Sequence, residues 1–454
     1  MSLTAPDGPY EVSTVELEIP ARSPRVFEQG KFLLGGKDAF RFETVLLTIF
    51  YPTSLREAGQ RTRSRSGTSW LPQPKLRSVE GLIKYGKIPK IFTLPAALVL
   101  PFMSRLPYVA NGPLASQAPT LTTAKAGDEN DAPTSAKPST LFPVGVFSHG
   151  LAGSKTTYSN YLASLASQGM VIAAVEHRDG SGPATTIHYP AKEGSKAKEE
   201  ALIYFKHAEL DMDKETGKPM SDEDEMRTVQ LKLRQAEVLE ALHVLEKIDS
   251  GEGDDLVRAS TVRGGQEGAK LSEWKGKLDL ASTWMLGHSF GGATAIEMIR
   301  TDESPFRHAL VLDPWLEPIA KAGETTPLRR PLFCINSEHF TVWRAHFKQV
   351  RELVSEAKAQ TGNGWLLTMT KTKHTDFSDF PFLMPRLFKT QTDPHRFHTL
   401  LSEASTKQFS GTFSLDALSL PVREEAEGEV QARDMGEPGQ VVHHPLLDGQ
   451  DAHL

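Results

Sequence analysis

From Leu141 onward the chain alternates short, almost wholly apolar runs with stretches of helical period. Phe142–Ser148 (FPVGVFS) and Met170–Val175 (MVIAAV) are too short for packed helices and apolar on successive residues. Strands of that kind must be covered on both faces, which is the condition of a parallel sheet. Between and after them, Thr157–Gln168 places Tyr158, Tyr161, Leu162 and Leu165 at helical spacing, and Glu225–Ile248 repeats Val229, Leu231, Leu233, Val238, Leu242 and Leu245 near 3.6 residues. Strand and helix then recur through Ala281–Leu286, Gly291–Ile299, Ala309–Leu312, Leu332–Ile335, Thr341–Ala359, Trp365–Met369 and Phe397–Ser402. Upstream, Val12–Ile19 and Thr44–Thr53 read as two further strands. The expected fold is α/β: a mostly parallel central sheet with helices on both faces.

Three stretches interrupt the alternation, at 114–140, 190–224 and 250–273. They are rich in small, polar or charged residues and are expected to be flexible insertions. Residues 1–420 are expected to form a single domain, and 421–454 a disordered acidic tail. The tail holds two basic and eight acidic residues, which is the whole net charge of −6 (51 − 57); the remaining body balances 49 against 49. A neutral body offers no basic excess for phosphates, so nucleic acid is not an expected partner. The one cysteine, Cys334, rules out an internal disulfide and any Cys-rich metal site; it reads as a buried strand residue. Met1–Tyr10 lacks the basic and apolar regions of a signal peptide, and Ser2 stands where myristoylation needs glycine. Leu94–Met103 is apolar for only ten residues and contains Pro95 and Pro101, half of what a spanning helix needs. The expectation is a cytoplasmic protein, with peripheral membrane contact left open.

Gly287-His288-Ser289-Phe290-Gly291 lies between the apolar run ending at Leu286 and the helix-prone Ala293–Arg300. That context turns a G-x-S-x-G string into a nucleophile elbow. A sharp strand-to-helix turn exposes the serine, and the helix N-terminus offers an N–H and partial positive charge to an oxyanion.

A serine hydroxyl needs a base to take its proton. In such folds the chain order is serine, acid, histidine. Asp313 ends the run Ala309–Leu312 and precedes Pro314, at the strand end where open α/β sheets keep their chemistry. Glu338, after the next strand, is the second candidate acid. The candidate bases are His339, His346, His374, His395 and His398. His374 lies in a loop after the strand Trp365–Met369, the expected place for a catalytic histidine, whereas His346 falls inside a helix. The loop Ser148-His149-Gly150-Leu151-Ala152-Gly153 follows a strand and is similar to the H-G-G loops of esterases. Its Leu151 N–H, with that of Phe290, is the expected oxyanion hole. Glu176-His177-Arg178-Asp179 reads as an ion-paired turn, with a phosphate contact through Arg178 as the alternative. His443 and His444 have no acid or cysteine in register, so neither metal nor cofactor is expected.

Four motifs taken together carry a resemblance: Phe147-Ser148-His149-Gly150-Leu151, Glu176-His177-Arg178-Asp179-Gly180-Ser181, Gly287-His288-Ser289-Phe290-Gly291-Gly292 and Leu312-Asp313-Pro314-Trp315. They resemble the platelet-activating factor acetylhydrolases of the plasma and intracellular type II kind, from about residue 40 to about 410. His374-Thr375-Asp376-Phe377-Ser378-Asp379-Phe380 looks like the family's histidine loop. The resemblance implies an α/β-hydrolase with the triad Ser289, Asp313 and His374, and an oxyanion hole from Leu151 and Phe290. The acid stands 313 − 289 = 24 residues after the serine, the placement the family uses. The implied reaction is calcium-independent removal of short or oxidised sn-2 acyl groups from glycerophospholipids, through an acyl-enzyme. Residues 87–106 and 380–388 correspond to segments that dock on lipid in the family; a lid or core role is the alternative. The three insertions and the tail depart from the family pattern. Two other functional readings remain: a general carboxylesterase or lipase acting on neutral esters, and a non-catalytic lipid-binding protein on a hydrolase scaffold.

Overall fold

The apolar runs become neighbouring strands of one sheet. The computed structural model describes residues 3, 6–55, 69–89, 91, 105–119, 140–189, 198–212, 221–262, 269–432 and 435–447. The strands of the central sheet are β1 (Tyr10–Val26), β2 (Arg41–Leu55), β3 (Val109–Ala110), β4 (Phe142–Ser148), β5 (Val171–Glu176), β6 (Leu278–His288), β7 (His308–Leu312), β8 (Leu332–Ser337), β9 (Gly364–Met369), β10 (Val422–Glu424) and β11 (Val441–His443). Their order across the sheet is β10-β11-β9-β8-β7-β6-β4-β5-β2-β1-β3. The stretch from β9 to β5 is parallel throughout, and β2 and β1 extend it antiparallel.

The principal helices are α1 (Lys75–Tyr85), α2 (Ser159–Ser167), α3 (Glu223–Lys247), α4 (Phe290–Met298), α5 (Arg344–Thr361) and α6 (Pro394–Phe409). The period of two along β5 shows how they are distributed. Val171, Ala173 and Val175 face a layer filled by Val238 and Leu242 of α3, Ile296 of α4 and Val350 and Leu353 of α5. Ile172 and Ala174 face the other layer, filled by Val79 of α1, Leu162 and Leu165 of α2 and Leu400 of α6. Both faces are therefore covered, as the continuous apolar runs require. α3 begins with a capping box: Asp222 Oδ1 accepts from Glu225 N at 2.7 Å, and Glu225 Oε2 accepts from Asp222 N at 3.3 Å. Along α3, Gln230, Arg234, Glu237 and Glu240 are buried as well as the apolar positions.

The expected disordered tail is corrected by the structure. β11 pairs antiparallel with β9, from Leu367↔His443 to Met369↔Val441, and β10 pairs with β11. Val441, Val442 and Met435 are buried, and His444 Nε2 lies 2.7 Å from Thr368 Oγ1. The acidic composition obscured a short apolar segment, Val441–Val442, that suffices to cover the open edge of β9. The acidic residues serve as partners: Glu425 pairs with Arg351 and His444. Residues 433, 434 and 448–454 lie outside the described residues. A chain ending at residue 420 is expected to lose roughly 1.5–3 kcal/mol for each of these buried side chains and to aggregate through the bared β9. Thermal unfolding of the shortened chain measures this, and an unchanged transition would contradict it.

The expected insertions are partly ordered as well. Leu114 and Ala115 are core residues, and 120–139 lie outside the described residues. Within 190–224, Lys198–Ile203 forms a hairpin with Ala184–Tyr189, and 190–197 and 213–220 lie outside the description. Within 250–273, Gly253–Ala259 is helical, and Trp274, just beyond, buries its ring edge-on to Tyr51 at 4.6 Å. These segments escaped the alternation because their buried residues are few and widely spaced. Of the expected membrane segment 87–106, residues 90 and 92–104 lie outside the described residues. Among the described residues, no helix is long and apolar enough to cross a membrane.

Candidate active site

β6 ends at His288 and α4 begins at Phe290, leaving Ser289 alone in the turn. Its backbone has φ 57 and ψ −121, a conformation that costs a non-glycine residue about 1–3 kcal/mol. The turn is held by Ser289 N donating to Leu312 O at 3.0 Å and by Trp315 N donating to Ser289 O at 3.0 Å. Close packing dictates the flanking glycines. A Cβ on Gly287 would meet Gly291 O at 2.0 Å, and one on Gly291 would meet Ser148 O at 1.9 Å. The elbow therefore presses against the end of β4, where the loop of Leu151 begins.

Asp313 follows β7 directly and is fully buried. Its Oδ2 lies 3.0 Å from His374 Nδ1 and accepts from Ser337 Oγ at 2.6 Å; its Oδ1 accepts from Ser337 N at 2.7 Å. The carboxylate is thus fixed from behind while one oxygen reaches the imidazole. The His374 ring lies between two others. Phe340 stacks on it at 4.3 Å with planes 7° apart, and His288 lies 4.4 Å from its centre at 32°. With Nδ1 bound to Asp313, Nε2 is the nitrogen left for the serine. Ser289 and His374 line the same pocket. No hydrogen bond joins Ser289 Oγ to His374 among the described residues, a looseness common before substrate closes a site.

The other candidates are placed elsewhere. Glu338 accepts from Lys371 N at 2.9 Å and pairs with the Lys371 ammonium at 3.7 Å. His339 is exposed. His346 Nε2 accepts from Leu316 N at 3.3 Å, His398 bridges Asn160 and Asp376 O, and His395 meets Phe382 edge-on. Arg178 is buried, bound to Glu18 at 2.6 Å and to Thr44, so the ion-paired alternative describes it. Cys334 sits buried in β8 with its thiol 3.3 Å from Asn336 Oδ1, and burial, then the charge of Asp313, push that thiol well up.

Leu151 also lines the pocket, and neither its N–H nor that of Phe290 donates to an acceptor among the described residues. Behind the loop stands a polar array that local sequence patterns do not announce. His149 Nδ1 donates to Gly150 O at 2.8 Å, and its Nε2 accepts from His177 N at 3.1 Å. Burial, with the nearby Arg234, drives His149 down to about 3, so it stays neutral and this pattern is stable at ordinary pH. Tyr158 Oη accepts from Gly150 N at 3.3 Å and donates to His288 Nδ1 at 2.7 Å. Burial, then the neighbouring His374, hold His288 well below the usual imidazole range. His288, Asp313 and His374 bring donor atoms within 4.8 Å of one another. Their hydrogen bonds to Tyr158, Ser337 and each other suit them to orienting and moving a proton.

The pocket has a volume of about 320 Å³. Val79, Leu82, Ile83 and Ile88 in and after α1 form one wall; Phe380, Met384, Leu387 and Phe388 form the other. Tyr85, Ile88 and Leu387 are each at least 40% exposed at its rim.

The model of the family "Platelet-activating factor acetylhydrolase, isoform II" matches residues 22–407. A platelet-activating factor acetylhydrolase of Gallus gallus is 31% identical over 283 residues, 59% of this chain and 61% of that protein. One of Cavia porcellus is 32% identical over 241 residues, 53% and 49% of the two chains. A putative phospholipase A2 of Schizosaccharomyces pombe is 27% identical over 291 residues, 56% and 64%. The chain thus spans about half to two thirds of the length of these relatives. A ferulic acid esterase from Streptomyces cinnamoneus superposes with a TM-score of 0.52 at 16% identity, over 98% of this chain and 99% of that one, a likeness of fold that agrees with an α/β-hydrolase. With the family model running through elbow, acid and histidine loop alike, the chain belongs to the platelet-activating factor acetylhydrolase, isoform II, family.

Proposed function

We propose that the protein is a serine esterase that hydrolyses the sn-2 acyl ester of short-chain or oxidised glycerophospholipids, without calcium, in one catalytic domain. The observation that carries this reading is the Asp313–His374 hydrogen bond beside Ser289 at the floor of an apolar pocket. Ser289 Oγ attacks the sn-2 carbonyl, and His374 Nε2 takes its proton. Asp313 holds the Nδ1–H and stabilises the cation that forms. The N–H groups of Leu151 and Phe290 receive the oxyanion at the positive end of α4. His374 then protonates the departing lysophospholipid, and water releases the acyl group by the same route in reverse.

The relatives named as platelet-activating factor acetylhydrolases and as a phospholipase A2 support a phospholipid substrate. Each methylene that enters an apolar pocket is worth ~0.8 kcal/mol, so lengthening the sn-2 chain from acetyl to butanoyl is expected to raise kcat/KM roughly tenfold. The assay compares such phosphatidylcholines with p-nitrophenyl esters in the presence of a calcium chelator. A preference for neutral esters over every phospholipid would favour the carboxylesterase reading. The exposed Tyr85, Ile88 and Leu387 at the rim support peripheral membrane contact by a cytoplasmic protein. Leu387→Asp is expected to weaken binding to phosphatidylcholine vesicles while sparing a monomeric substrate; unchanged vesicle binding would refute that contact.

A further inference from the structure

We propose that Arg234, buried in the middle of α3, is a positioning residue that sets both halves of the oxyanion hole together. The inference rests on the serine-esterase reading above and adds a residue to it.

All three guanidinium nitrogens are committed. Nε donates to Asp179 Oδ2 at 2.6 Å, one terminal nitrogen donates to His149 O at 2.7 Å, and the other donates to Ser181 Oγ at 2.5 Å. The carbon of the same group, Cζ, lies over the Phe290 ring, 4.2 Å from its centre. Leu151 is bracketed by these contacts. On one side His149 O is held by Arg234 directly. On the other, Ala152 N donates to Ser181 O at 2.8 Å, and Ser181 is the residue whose hydroxyl Arg234 grips. The loop is pinned two residues before Leu151 and one residue after it, and the Leu151 N–H has no acceptor among the described residues. Phe290, the other donor, is located by its ring against the same cation. One side chain therefore fixes the separation of two N–H groups that come from different strands' ends.

The fork geometry matters more than the charge. Asp179 neutralises Arg234 at 2.6 Å, so little net field is left for the oxyanion, whereas three bonds in one plane tie the loop at His149 to the turn Asp179–Ser181. A lysine keeps the charge and the pair with Asp179 but has a single nitrogen.

The test uses p-nitrophenyl acetate and a trifluoromethyl ketone. Ser289 Oγ bonds to the ketone carbon, its proton passes to His374, and the carbonyl oxygen becomes a hemiketal oxyanion in the hole. Removing one such donor costs roughly 10²–10³-fold in other hydrolases, and misplacing donors is expected to cost about 10–100-fold in kcat for Arg234→Lys, with KM nearly unchanged. The ketone's inhibition constant is expected to rise by the same factor. If Arg234→Lys does not fold, Phe290→Leu carries the same test: it removes the ring against the guanidinium, leaves the Asp179 pair intact, and is expected to show the same paired losses. A folded variant with unchanged kcat, or with lowered kcat but unchanged ketone affinity, overturns the proposal. Turnover by the parent enzyme that survives Ser289→Ala instead overturns the esterase reading and this inference with it, and the two failures are told apart by that control.

Discussion

Ser289→Ala is expected to lower ester hydrolysis by roughly 10⁴–10⁶-fold, the range seen when serine hydrolases lose their nucleophile, with the fold intact. Among the described residues Ser289 Oγ makes no hydrogen bond to protein, so its removal orphans no partner there. The hydrogen bonds that shape the elbow are all made by the Ser289 backbone, to Leu312 and from Gly292, Ala293 and Trp315, and alanine keeps them. The left-handed backbone at this position persists in the variant, so thermal unfolding should be nearly unchanged while turnover vanishes. A burst of p-nitrophenol stoichiometric with enzyme, present in the parent and absent in the variant, would identify the acyl-enzyme. Parent-like steady-state rates in Ser289→Ala would remove the serine from the chemistry altogether.

The second large effect is expected at Asp313. Asp313→Asn should reduce kcat by roughly 10⁴-fold, the loss attributed to a wrong histidine tautomer in a serine protease. The contacts here show why. Ser337 presents two donors, its N–H and its hydroxyl, to the carboxylate. An asparagine whose oxygen stays on Ser337 N puts its NH₂ at the Oδ2 place, facing both Ser337 Oγ, which can turn to accept, and His374 Nδ1. That nitrogen must then accept, which puts the ring proton on Nε2, where it can no longer receive one from Ser289. Glu338→Gln is the control, because Glu338 serves Lys371 N at 2.9 Å and its substitution should leave kcat within a small factor of the parent. The reverse ranking of the two variants would transfer the acid role to Glu338.

Much of the fold was readable because the parallel core writes itself in runs of consecutive apolar residues, and β4, β5, β7 and β8 stand where FPVGVFS, MVIAAV, Ala309–Leu312 and Leu332–Ile335 predict strands. The elbow was readable because its residues stand together within five positions between a strand and a helix, although only Gly287 answers to sterics inside the motif and Gly291 to the distant Ser148 O. The supporting shell was not. Ser337 meets Asp313 across 24 positions and Arg234 meets His149 across 85, and no local period records such contacts. On α3 the polar residues Arg234 and Glu237 look like a solvated face, whereas they are buried against the turns at His149 and His177. The tail misled for a related reason: charge dominates its composition, and two valines decide its structure. Phe340 and Tyr158, which hold the two histidines, are apolar-looking residues whose role appears only once the rings are seen against each other.

Cys334 gives the molecule a built-in clock. It is the chain's one thiol, it lies buried in β8, and β8 is two strands from β6, which carries the elbow. A thiol reagent in solution reaches it only when the middle of the sheet opens, since exposure of a core strand requires a sub-global or global fluctuation. The labelling rate under native conditions therefore counts breathing events of the sheet that carries the catalytic turn, free of background from any second sulfhydryl.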